Sequence, residues 1–222
     1  MSGIFPMAAV GRGGPGIVCG MRAEAARVPS GRTTLPLFCA GGSAKRAEAM
    51  AAQLIADGAT ALVSVGICGA LDPVLRTATL LRFDTVITED YEIYAGDETL
   101  APELPAGGAL LSSDRALMTR RDKSEAFLRL GARAVDMESH GVARAAAAAG
   151  IPFTVVRAIA DEAETEIPDF ALSGLAPDGS TQTLPVLAGL LRRPWSFPSL
   201  LRLGRDTRRA LQALGAMPDL HA

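Results

Sequence analysis

Residues 137–161 constrain the fold more than any other stretch of the chain. An alanine-rich helix, Met137 to Ala149, is stopped by Gly150 and Pro152, and the apolar run Phe153 to Ala160 follows at once. A helix that delivers the chain straight into a buried strand is half of a β-α-β unit, and the same alternation recurs upstream. Gly16 to Gly20 and Pro36 to Ala40 read as short buried strands, the second opening into Gly41-Gly42-Ser43. Residues 43–57 read as a helix with alanines, Met50, Leu54 and Ile55 on one face and Lys45, Arg46, Glu48 and Gln53 on the other. Thr60 to Val65 is a strand running into a glycine-punctuated turn, Gly66 to Ala70. Thr77 to Thr88 reads as further strand, Asp122 to Leu130 as a helix and Ala132 to Val135 as a brief strand.

Strands separated by helices predict an α/β protein: a three-layer αβα sandwich around a mostly parallel or mixed sheet. With 222 residues, 49% of them hydrophobic, the chain suits one core rather than two. We therefore expect a body at residues 1–183 and a tail at 184–222 on the same unit. Residues 162–184 mix acids with Pro168, Pro177 and Gly179 and read as a loop over a site.

Charge narrows the partners. The chain carries a net −2, which excludes a general field for nucleic acid. Residues 184–215 carry +5, with Arg192, Arg193, Arg202, Arg205, Arg208 and Arg209 against Asp206, so a basic tail sits on an acidic body. Leu200, Leu203, Ala210, Leu211 and Leu214 share a helical face there, behind Trp195 and Phe197. Such a helix either packs on the body or a second copy, or lies on an anionic bilayer surface. Cys19, Cys39 and Cys68 lack metal spacing and suit reduced, buried thiols in the cytoplasm. We expect neither a signal peptide nor a spanning helix.

In open sheets of this kind ligands gather at the carboxyl ends of the strands, and acids cluster there. Glu138 follows Ala134-Val135-Asp136-Met137, in the first turn of the Met137 helix, and Asp161 ends Arg157-Ala158-Ile159-Ala160. A carboxylate leaving a buried strand is desolvated and holds a proton well enough to donate it. A second carboxylate accepts from paired hydroxyls. Glu24, in Gly20-Met21-Arg22-Ala23-Glu24, is placed to act as a base. Each acid has a plain structural reading too: a helix-terminus charge for Glu138, a capping or loop acid for Asp161, a solvent-facing helix residue for Glu24.

Val135-Asp136-Met137-Glu138 and Arg157-Ala158-Ile159-Ala160-Asp161 resemble two hallmark segments of the purine nucleoside phosphorylase superfamily, in its methylthioadenosine/S-adenosylhomocysteine nucleosidase branch. The resemblance spans about residues 16–161. It implies a nucleoside-phosphorylase fold, a homodimer, and no metal or organic cofactor. It also implies site roles. Met137 would lie against the ribose, Glu138 would bind its hydroxyls, Asp161 would protonate the purine at N7 and Glu24 would direct a water. Gly66, Ile67, Cys68 and Gly69 would form the ribose and base loop. Ile67 and Ala160 stand where the nucleosidases usually carry serines, and Ala116, in Leu111 to Ala116, stands near their base-stacking phenylalanine. The Leu-Arg-Arg-Pro-Trp tail resembles the hopanoid-associated members, understood to remove adenine from adenosylhopane, a lipid-linked nucleoside.

Phosphorolysis instead of hydrolysis needs an anion pocket, for which Arg22, Ser43 and Arg46 are the candidates and phosphate the co-substrate. No Gly-Asp-Pro-x-Arg loop is present, which favours water. Ser112, Ser139 and His140 lack the elbow of a serine hydrolase, and His140 reads as a packing or surface residue. Gly11 to Gly16 precedes the first strand, where a nucleotide loop would follow it. A soluble nucleosidase for small substrates and a noncatalytic purine-binding protein are the alternatives.

Overall fold

The computed structural model describes residues 13–174 and 176–221. In chain order it contains β1 (Pro15–Cys19), a single-turn α1 (Arg22–Ala25), β2 (Phe38–Cys39), α2 (Ala44–Ala56) and β3 (Ala61–Ala70). There follow β4 (Leu80–Phe83), β5 (Thr85–Ile87), β6 (Ile93–Ala95), β7 (Ala109–Ser112) and α3 (Arg120–Leu130). The chain then forms β8 (Ala134–Asp136), α4 (Ser139–Ala149), β9 (Phe153–Asp161), α5 (Thr183–Arg192) and α6 (Phe197–Leu214). Part of the lead-in from Gly11 to Gly16 lies outside the described residues.

The nine strands form one mixed sheet in the order β2-β1-β3-β8-β7-β5-β6, with β9 paired to β3 and β4. β3 is the hinge of the topology. It runs parallel to β1 and β9, and its last two residues pair antiparallel with β8, Gly69 to Val135 and Ala70 to Ala134. The ends of β3, β8 and β9 therefore converge on one place.

Alternation along the strands divides the core between two helical layers. Val18, Leu62, Phe153 and Val155 point to α2 and α4, where Ala47, Ala51, Leu54, Val142 and Ala146 complete the cluster. Ile17, Val63, Val65, Val156 and Ala158 point the other way, onto Ala210, Leu214 and Met217. The inner face of α6 thus supplies part of the second layer. α3 packs through Ala126 onto Leu71, Leu111 and Val135. This is the expected αβα sandwich.

Several boundaries differ from the sequence reading. Gly66 to Ala70 is not a turn but the continuation of β3, since β8 and β9 both supply partners for it. Thr77 to Thr88 divides into β4 and β5, which pair with different strands. The helix after β8 starts at Ser139, so Glu138 is its N-cap and not a first-turn residue. Residues 162–184 contain a 3-10 segment, Asp169–Gly174, and the start of α5.

Candidate active site

Glu24, Glu138 and Asp161 meet at one cavity of about 200 Å³, lined also by Gly20, Met21, Ile67, Cys68, Gly69, Asp136 and Met137, with Leu117 and Ile167 as apolar walls. Each acid is supplied by a different element: Glu24 by α1, Glu138 by the turn between β8 and α4, and Asp161 by the last position of β9. Each also faces a glycine. A β-carbon on Gly20 would lie 2.5 Å from Glu138 Oε1, one on Gly66 would lie 2.8 Å from Glu24 Oε1, and one on Gly69 would lie 3.0 Å from Asp161 Oδ2. The glycines of β3 and the β1 turn are therefore room for carboxylates.

Glu24 is fixed by backbone alone. Its Oε2 accepts from the amides of Gly20 (2.8 Å) and Met21 (2.7 Å), and its Oε1 accepts from the amide of Ile67 (2.8 Å). Burial pushes its pKa up from the usual glutamate value, while Arg157 and the three amides hold it down. Its carboxylate is thus poised and oriented.

Glu138 is pushed up to about 8, by burial first and then by the neighbouring Asp136 and Glu24, against the pull of Arg157 and the Gly42 amide. It therefore holds a proton more tightly than an exposed glutamate does. Beneath it lies a charged network. Arg157 is fully buried and donates to Asp136, to Ser64 Oγ (2.7 Å) and to Ser139 Oγ (3.0 Å), while Ser139 Oγ donates to Asp136 Oδ2 (2.5 Å). Arg157 is the cation that offsets Asp136, Glu24 and Glu138. Removing one partner of such a buried pair costs roughly 3–5 kcal/mol.

Asp161 owes its place to an irregularity. Cys68 pairs with Ile159 and Gly69 with Asp161, so β9 carries one extra residue there, at Ala160. A bulge re-aims the side chain that follows it, here into the cavity. Burial pushes Asp161 up, opposed by Lys123, whose buried ammonium donates to Asp161 Oδ2.

The structure brings Glu24, Glu138, Met137, Asp161, Ile67, Cys68 and Gly69 together at the cavity. Gly66 stands behind it, against Glu24. Arg22, Ser43 and Arg46 do not line it. Arg22 pairs with Asp178 (2.7 Å) on the surface, and Ser43 caps α2. The Arg46 guanidinium donates to the carbonyls of Ala40 (2.6 Å) and Gly41 (2.7 Å). His140 is buried, with Nδ1 2.8 Å from Ser112 Oγ.

Sequence reasoning missed Arg157 and Lys123 as working residues. Both carried a signal. Arg157 is the one charge inside an apolar strand, and Lys123 falls on the stripe of Ala126, Phe127 and Leu130, where an exposed lysine has no business.

A second cavity of about 440 Å³ adjoins the first and shares Met21, Ile67, Ala160, Asp161 and Ile167 with it. Its other walls are Ala23, Ala171, Val186 and the α6 residues Leu200, Leu203 and Leu211. Apart from Asp161, Thr181 and Thr207 its lining is apolar, and it is larger than the acidic cavity beside it.

A family model described as the phosphorylase superfamily matches residues 94–178. No curated protein matches the chain by sequence. Among solved structures, the fold is similar to that of the Helicobacter pylori 5'-methylthioadenosine/S-adenosyl homocysteine nucleosidase, with 17% identity, 93% of this chain and 98% of that one covered, and a TM-score of 0.64. It is similar to the futalosine hydrolase of the same organism, with 15% identity, 93% and 95% covered, and a TM-score of 0.66. It is also similar to the Streptococcus pyogenes S-adenosylhomocysteine nucleosidase, with 18% identity, 95% and 100% covered, and a TM-score of 0.60. The nucleoside-phosphorylase fold implied by the sequence is the fold found.

Proposed function

From a chain that has the nucleosidase fold and matches the phosphorylase superfamily over residues 94–178, we propose an N-ribosyl hydrolase that releases adenine from an adenine nucleoside. The observation that carries this reading is the meeting of Glu24, Glu138 and Asp161 around one cavity.

An N-glycosidic bond breaks through a sugar with oxocarbenium character, and the purine leaves readily only when a ring nitrogen gains a proton. Asp161, desolvated at the cavity wall, gives its proton to N7 as the bond's electron pair moves onto the base. Glu138, in its protonated form, both donates to and accepts from the ribose hydroxyls. As positive charge grows on the sugar its hydroxyls become better donors, and the Glu138 oxygen that accepts from them binds more strongly. Glu24 takes the proton of a water as its oxygen bonds to the anomeric carbon. Three backbone amides keep this base from turning away.

Water is the nucleophile in this reading, with phosphate as the alternative co-substrate. The engagement of Arg22 and Arg46 elsewhere supports water. No metal or organic cofactor takes part.

The favoured substrate carries a large apolar group on the ribose, adenosylhopane being the candidate that the tail resemblance supplies. The apolar cavity walled by α6 supports it, since a methylthio group would leave most of that space unfilled. The outer side of the tail supports delivery from an anionic bilayer. Leu191 and Trp195 are 85% and 74% exposed, Phe197 and Leu201 are exposed beside them, and Arg192 and Arg208 form no ion pair among the described residues. Cosedimentation with anionic vesicles, weakened in a Trp195→Ser/Leu201→Ser protein, tests that part. Contact is peripheral here, because no helix among the described residues is long and apolar enough to cross a membrane. A homodimer belongs to the same proposal, with the open sheet edge at β6 as its available surface. Adenine release in phosphate-free buffer tests the reaction itself.

A further inference from the structure

Lys123 takes no part in the steps proposed above, yet its side chain is 1% exposed and all three ammonium donors are used. They go to Asp161 Oδ2, to the carbonyl of Glu162 (3.0 Å) and to the carbonyl of Thr165 (2.9 Å). The lysine reaches them from the second turn of α3, which is itself held by the Thr119 N-cap and by Ala126 in the core. One rigid helix thus grips both the acid and the chain that leaves it. That chain continues to Ile167, a wall of both cavities. Asp161 Oδ1, by contrast, accepts no hydrogen bond among the described residues.

We propose that Lys123 is the positioning residue of the proton donor: by holding Oδ2 and the 162–165 backbone at three points, it leaves Oδ1 as the only oxygen that can present a proton to the departing base. The inference rests on the hydrolase reading above and deepens it. In the step itself the Oδ1–H bond breaks, the N7–H bond forms, and the carboxylate left behind is already paired with an ammonium. A lone buried carboxylate would resist losing that proton, because its charge would have no partner. Lys123 removes that resistance and so makes a desolvated aspartic acid strong enough to act. The other groups near Asp161 do not replace it. Cys68, on the paired strand, is a thiol kept neutral by burial, and the Glu162 carboxylate accepts from the Thr77 amide (3.4 Å).

The test compares two substrates in Lys123→Met and Lys123→Arg proteins. One is a 5'-alkyl adenosine, whose base needs a proton to leave. The other is a 4-nitrophenyl riboside, whose leaving group departs without one. Lys123→Met should lower kcat on the adenosine about 100-fold, the loss expected when a general acid is disabled, with KM little changed. Its kcat on the nitrophenyl riboside should fall less than about 3-fold on the same reasoning. Burial then acts on Asp161 unopposed, so the alkaline limb of kcat should move to higher pH. Lys123→Arg keeps the charge and should hold that limb in place while losing about 10-fold on the adenosine alone, because its planar fork cannot repeat the three-point grip. The arginine protein decides the matter if the methionine protein does not fold.

Equal losses on the two substrates, or an unmoved alkaline limb in Lys123→Met, would overturn the assignment and reduce the lysine to a structural prop. Failure of the unsubstituted protein to release adenine would sink the hydrolase reading, and this one with it.

Discussion

A β-carbon on Gly20 would stand 2.5 Å from Glu138 Oε1, so the Glu138 carboxyl can keep its place beside the end of β1 only while residue 20 has no side chain. The clash in Gly20→Ala falls on the far end of a flexible side chain, which can swing aside. The variant should therefore fold normally and lose activity. We expect kcat/KM to drop about 100-fold, the scale of a 1 Å misplacement at a reacting centre, with an unchanged circular dichroism spectrum. Unaltered kinetics would show that Glu138 does not work from this position.

Glu138 should trade stability for function. Its folded pKa of about 8 lies above the ordinary 4.5, so the folded state holds the proton more tightly than the unfolded chain. That contribution is complete below the ordinary value and is lost as pH rises through the folded one. Glu138→Gln keeps the uncharged form at every pH. Its melting temperature relative to the parent should climb between pH 5 and pH 8 and then level, by roughly 3 °C or more, while activity disappears. A difference independent of pH would contradict the assigned titration.

Much of this was legible in the chain. Phe153 to Ala160 read as a strand because its eight residues, buried on both faces, are apolar apart from Thr154 and Arg157. Asp161 and Glu138 read as site residues because both fall near the carboxyl ends of strands, where ligands gather in open sheets of this kind. Other features were hidden by tertiary context. Gly66 to Ala70 has the composition of a turn, and only β8 and β9 on either side make it a strand. β6 and β7, at three and four residues, are too short for alternation to rise above loop composition. The pairing of Lys123 with Asp161 joins positions 38 residues apart, which no local pattern reports.

The apolar cavity gives a specificity test. Leu203 lines it from α6, away from Glu24 and Glu138. Leu203→Glu puts a charge among apolar walls. It should lower kcat/KM for a long-chain 5'-alkyl adenosine at least about 10-fold, a cost of about 1.4 kcal/mol, and change methylthioadenosine turnover little. Parallel losses on both substrates would remove the cavity from the account.

The most direct measurement is adenine release from a long-chain 5'-alkyl adenosine in phosphate-free buffer, by the unsubstituted protein and by Asp161→Asn. Free adenine and the matching ribose hemiacetal should come from the former. The latter should release adenine at least about 100-fold more slowly, with binding retained. Equal rates from the two proteins, or no adenine from the unsubstituted one whether or not phosphate is added, would contradict the proposed reaction.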